Sequence, residues 1–140
     1  MPIIGVLDPV RALGKEWVLV QVTLTVGATG AVTSAVGRGF DTATPSGETA
    51  GGIVRVSEGV YTVTLPGRGS VQAIVPLGPP VIEDADAADA KVVTITAKSL
   101  SARTMTFTFW DAAAAAAVEE LTEGSVVYFT FLVKNSNQLA

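Results

Sequence analysis

The stretch FTFWDAAAAAAVEELTEGSVVYFTF, residues 107–131, sets six consecutive alanines between two runs in which apolar and polar side chains alternate. Its reading decides the fold class. A period of two marks a strand with one buried face, whereas alanine has the highest helix propensity of any residue. Asp111 is a suitable N-cap and Gly124 a suitable terminator, so DAAAAAAVEELTEG predicts a short helix or helical turn in preference to an extended loop. A segment of this length is marginal as an isolated helix in water. It therefore reads as a connection between the last two strands.

Outward from that stretch the strand pattern continues. In TMTFTFW, Met105, Phe107 and Phe109 share one face while Thr104, Thr106 and Thr108 share the other. SVVYFTFLVKNS is apolar on both faces, the pattern of a central strand or of one covered by a neighbouring subunit. In WVLVQVTLTV, residues 17–26, Val18, Val20, Val22, Leu24 and Val26 oppose Gln21, Thr23 and Thr25. AVTSAV, SVQAIVPL and KVVTITAKS add further strands, and IVRVSEGVYTVTL reads as a hairpin turning at Ser57, Glu58 and Gly59. Two stretches read as irregular: DTATPSGETAGG at 41–52, an exposed loop, and GPPVIEDADAADA at 78–90. The sum is an all-β chain of about eight strands, arranged as an antiparallel sandwich or barrel. Residues 1–16 form an N-terminal arm or edge segment, and residues 17–140 form a single β domain of sufficient size for its own core.

Composition narrows the function. Charged residues make up 16% of the chain, against about 25% in a typical soluble domain, and such a surface invites cover by another subunit. The net charge is −4 and the nine basic residues are scattered, so no cluster can neutralise several phosphates and nucleic acid is not an expected partner. The chain has no cysteine and no histidine. Disulfides, zinc–thiolate sites and thiol nucleophiles are excluded, and the commonest general base and transition-metal ligand are lacking. The first residues show no basic region followed by a long apolar core, and no apolar run reaches eighteen residues, so neither a signal peptide nor a membrane span is expected. Synthesis and assembly in the cytoplasm follow as the expectation.

Candidate sites are few. Glu83, Asp84, Asp86 and Asp89 form an acidic cluster that a hard cation would favour, but their spacing is not that of a calcium loop. Counting twelve positions from Asp84 reaches Ile95 where a glutamate is needed, so the cluster reads as a solvated loop. GATG, GRGF and PGRGS are glycine-rich, yet neither GxxxxGK[ST] nor GxGxxG occurs, and Gly14-Lys15 runs into Glu16; these are turn residues. Ser70 and Ser101 would need a lysine or carboxylate to act as nucleophiles, and no spacing supplies one. Trp17, Trp110, Tyr61 and Tyr128 read as packing residues at strand positions, with a sugar-binding platform as the rival. No catalytic residue, cofactor or metal is expected.

Three stretches then stand out together: LGKEWVLVQVTLTVGATGAVTSAVGRGF, VSEGVYTVTL, and MTFTFWD with EGSVVYFTFLVKNS. As a set they resemble small virion proteins of tailed bacteriophages, the head decoration or cement proteins. Those share an opening strand, a GA.GAV.S..G.GF segment, a central G.YTVTL strand and an ending like V.F.LVLKNS. The alanine tract resembles an expansion of the short glycine- and alanine-containing connection that joins their last two strands. The resemblance implies a non-enzymatic protein on the capsid surface that binds the outside of an assembled shell and stabilises it. Its partners would be the major capsid protein and further copies of itself, a trimer ahead of a dimer. Two other readings stay open: a tail or neck component or receptor-binding module, and a carboxylate-dependent hydrolase acting on cell-wall sugar.

Overall fold

In the computed structural model, residues 17–41, 51–67, 69–114 and 117–135 are described. They contain ten strands: β1 Trp17–Val26, β2 Val32–Val36, β3 Phe40–Asp41, β4 Gly51–Ser57, β5 Val60–Thr64, β6 Val71–Pro76, β7 Val81–Glu83, β8 Lys91–Ser99, β9 Thr104–Asp111 and β10 Val126–Asn135. The first sheet has the order β2-β1-β10-β6, with β7 also paired to β10, and the second has the order β3-β4-β5-β9-β8. Among the described residues no strand pairing joins the two sheets, so the fold is a sandwich and not a closed barrel. Every pairing is antiparallel except that of β3 with β4.

Register explains the core. Val20, Val22 and Leu24 stand opposite Phe131, Phe129 and Val127, so the inward residues of β1 and β10 coincide. In the second sheet Tyr61 and Val63 stand opposite Phe107 and Met105. All of these except the partly buried Val20 are buried, together with Ile53, Phe109 and Leu121. Aromatic rings join the layers: Phe107 lies 4.8 Å from Phe129 and 6.0 Å from Phe131 between centroids. Tyr61 meets Phe109 edge-on at 5.6 Å. The alternation read in β1 and β9 thus places the expected faces inward.

The alanine tract departs from the helical expectation. The Asp111 amide donates to the Ala117 carbonyl at 3.0 Å, and the Glu119 amide donates to Phe109 at 3.0 Å. Val118 bridges Trp110. Asp111 does cap, but its Oδ1 accepts from the Ala113 amide at 2.7 Å and closes a turn. None of the described alanines of the tract is helical. Pairing back onto the end of β9 occupies the backbone groups that a helix would need, and this overrides the intrinsic preference of alanine. The loop alternative is the one adopted.

Two strands lie where none was expected. β3 has two residues, and β7 falls inside the stretch read as irregular, where it pairs with residues 126–128. The stretch at 41–52 ends in Gly51 and Gly52, which are buried in β4 and not part of an exposed loop; residues 42–50 lie outside the described residues, as do residues 1–16 of the expected arm.

Phe107 touches both central rings of the opposing sheet, so Phe107→Ala leaves a cavity between layers. The variant is expected to lose about 3–5 kcal/mol of unfolding free energy, measured by urea denaturation. A loss below about 1 kcal/mol contradicts this picture of the core.

Candidate interaction surface

A strand that buries one face presents the other, and the outward residues of the first sheet are largely apolar. Across β2, β1, β10 and β7 the register aligns Val36, Thr23, Tyr128 and Val81 in one row. A second row across β1, β10 and β6 aligns Leu19, Leu132 and Val75. Val36, Val81 and Leu19 are 66%, 64% and 56% exposed. Gln21 and Thr130 separate the rows, and Lys134 closes one end with its ammonium 5.8 Å from the centre of the Trp17 ring. At the other end the Tyr128 hydroxyl donates to Glu83 at 2.9 Å, and that carboxylate raises the phenol pKa above its usual value.

The second sheet presents different chemistry. Its outward face carries threonines on β5, β8 and β9 whose hydroxyls bond to one another, Thr62 with Thr106 at 2.9 Å and Thr96 with Thr108 at 3.1 Å, and the sheet also exposes Val56, Val92 and Ile95. The Trp110 indole donates to the Thr94 hydroxyl at 2.7 Å. The second outer face thus carries an array of mutually bonded threonines, whereas the first carries two rows rich in apolar residues. Trp17 and Trp110 lie on opposite outer faces, so they cannot form a shared sugar platform. Of the four aromatics expected to pack, only Tyr61 is fully buried.

The acidic cluster is held by its own loop and by Ser125, Tyr128 and Lys91. Asp84 Oδ1 accepts from the Ser125 hydroxyl and the Asp86 amide, both at 3.1 Å. Asp86 accepts from the Ala88 amide, Glu83 from Tyr128, and Asp89 pairs with Lys91. Among the described residues no three acidic, histidine or cysteine groups converge on a metal position. The Ser101 hydroxyl bonds with that of Ser99, which also accepts the Ala102 amide; this is a turn and not a nucleophile with its base. The glycine-rich pieces fall at turns, as expected.

Two polar clusters were not foreseen. Glu120 accepts from Arg55, through Nε at 2.8 Å and through Nη2, and from the Gly59 amide at 3.3 Å. The Tyr61 hydroxyl lies 2.8 Å from Glu120 Oε1 and 2.7 Å from the Gly30 carbonyl, and its single proton serves one acceptor at a time. The cluster ties the connection after the alanine tract to the second sheet and to the β1–β2 turn of the first. Glycine is required twice here. A Cβ on Gly30, at φ +72°, would fall 2.0 Å from the Glu120 carboxyl group, and one on Gly59, at φ +60°, would fall 2.4 Å from the Glu119 carbonyl. Burial pushes the Tyr61 phenol well up, helped by Glu120. Glu120 itself is pushed up by burial, but its bonds from Arg55, Tyr61 and Gly59 outweigh that and hold it below the usual range.

The second cluster centres on Lys91, whose side chain is fully enclosed and pairs with Asp89 and, at 3.3 Å, with Glu119. Burial disfavours its charge, yet the two carboxylates raise its pKa above the ordinary value. Nearby in kind is Arg103, buried and donating to the Leu65 carbonyl from Nε at 3.1 Å and Nη2 at 2.7 Å, with its pKa lowered by burial. These groups hold loops to sheets.

Glu120→Gln tests the first cluster. Because the folded-state pKa lies below the unfolded value of about 4.3, the carboxylate contributes fully above that pH and its contribution is lost as pH falls through the folded-state value. The variant is expected to be less stable by about 1–3 kcal/mol at pH 7 and to show a flatter stability profile below pH ~4.3, by urea titration at several pH values. Equal stability and equal slopes contradict the assignment. Neither protein-family models, nor curated proteins, nor solved structures gave a match to this chain.

Proposed function

We propose that the chain is a non-enzymatic structural protein of a tailed-phage virion, binding the outside of the assembled capsid and stabilising it. The observation that carries the reading is the row of apolar residues on the outer face of the first sheet, in a protein of low charge content. The choice of a capsid as the partner is supported by the resemblance of three stretches to head decoration proteins. Those stretches coincide with the framework: GATGAVTSAVGRGF runs from the end of β1 to β3, VYTVT is β5, and VVYFTFLVKN is β10. Two of them meet where the Tyr61 hydroxyl reaches Gly30.

The function follows from binding physics. A protein that binds the mature shell and not its disassembled subunits stabilises the shell by mass action. Many copies, each a homo-oligomer touching several coat subunits, gain avidity without a large individual interface. A trimer is favoured over a dimer on the strength of the same resemblance. The apolar face then serves against the shell or against sister copies, and the threonine face remains compatible with water.

The chain is expected to co-sediment with capsids, and capsids stripped of it are expected to burst at a lower temperature than decorated ones. Identical bursting temperatures overturn the stabilising role. A tagged copy is expected to label the whole shell; label at a single vertex favours a tail or neck component instead.

A further inference from the structure

We infer that the first half of β1 is an acceptor edge, completed by an extended segment from a second copy of the chain. β1 pairs with β10 along residues 17–25, but β2 covers its other side only from Thr23 onward. Among the described residues no strand pairs with residues 17–22 on that side. Gly37 lies against the Gln21 carbonyl and Val22, so the open edge reads WVLV, residues 17–20, with neither charge nor proline to blunt it, although native sheets normally protect such edges.

The edge lacks a strand in its core as well as in its ladder. Val18 has the inward parity of Val20 and Val22, yet it is 42% exposed. Beside it opens a groove of about 410 Å³ between the sheets, lined by Val18, Val20 and Val133 of the first sheet and by Gly39, Pro66 and Gly67 of the adjoining connections. A strand laid along β1 would form main-chain hydrogen bonds with the edge and direct alternate side chains into this groove, the geometry of strand addition.

The sequence before Trp17 indicates the occupant. Residues 2–7, PIIGVL, are apolar and carry no charge, which suits an apolar groove. A tight fold-back of a chain onto its own β1 would instead place residues 8–13 along that strand. Those include Asp8 and Arg11, whose charges do not suit the groove, and Pro9, which cannot donate to a ladder. Residues 3–7 lie ten to fourteen positions before Trp17, a maximal extended reach of about 33–50 Å. A tight hairpin therefore leaves the apolar run beyond its own edge, and the intervening chain is long enough to carry it to that of a neighbour. The inference is independent of any capsid.

The chain has no cysteine, so single cysteines report contact directly. Full-length Val18→Cys is mixed under mild oxidation with full-length Ile4→Cys or Val6→Cys. A disulfide between chains is expected for at least one mixture. Sedimentation of the full-length Ile4→Asp, Val6→Asp variant is expected to show association weakened at least tenfold, with the thermal midpoint of the separated domain unchanged. Cross-linking only within one chain, in variants carrying both cysteines, overturns the inference in favour of self-occupancy. Absence of any cross-link, or unchanged association, also overturns it. None of these measurements involves capsids, so failure here and failure of the capsid reading are distinguishable.

Discussion

The constraint on which the structure depends is the position of β10. It lies between β1 on one side and β6 and β7 on the other, so neither of its edges is free along most of its length. Its inward residues Val127, Phe129, Phe131 and Val133 form the middle of the core, where the phenylalanine rings receive Phe107 from the opposite sheet. Its outward residues include Tyr128 and Leu132 at the centre of the apolar rows. One strand therefore supplies both the cohesion of the domain and the middle of its apolar outer rows. An apolar sheet face in water forfeits the hydrophobic stabilisation that cover would give, of order 25 cal/mol per Å². That cost makes sense where a partner removes the face from water.

The polar clusters solve a different problem. The chain between β9 and β10 must cross from one sheet to the other, and its described residues carry no regular structure beyond the bridge at Val118. Leu121 anchors it in the core, Glu120 clasps Arg55, Gly59 and Tyr61, and Glu119 meets Lys91. Each of these bonds joins segments far apart in sequence, so the connection is fixed by tertiary contacts. Ionisable groups placed this way act as fasteners, which removes them from service as acids, bases or ligands.

Much of the fold was legible in the sequence because period-two alternation is local. β1 and β9 could be read with their faces assigned, since an inward residue in a strand fixes the direction of its neighbours, and the β4–β5 hairpin and β10 could be read as strands. β3 and β7 were not legible, as two or three residues hold too little periodicity. The alanine tract misled because propensity is also local, while the bonds from Asp111 to Ala117 and from Glu119 to Phe109 form only once β9 has its place. Glu120 gave no signal: Arg55 and Tyr61 lie about sixty positions away, and only the packed sheets bring them together. Trp17, Trp110 and Tyr128 were expected inside, since an aromatic at a strand position carries no mark of which face it takes. The open edge of β1 was equally hidden, because it depends on where β2 stops pairing.

The account rests on the outer face of the first sheet as a contact surface and not as a tolerated excess of apolar residues. Leu19 and Val81 lie on different strands of that face and contribute little to the core, so their replacement separates contact from folding. The deciding measurement is co-sedimentation of full-length Leu19→Glu, Val81→Glu protein with undecorated capsids, alongside its thermal midpoint. The account predicts a midpoint within a few degrees of the parent, since surface changes usually cost less than about 0.5 kcal/mol, and attachment reduced at least tenfold. Attachment equal to that of the parent protein would contradict it.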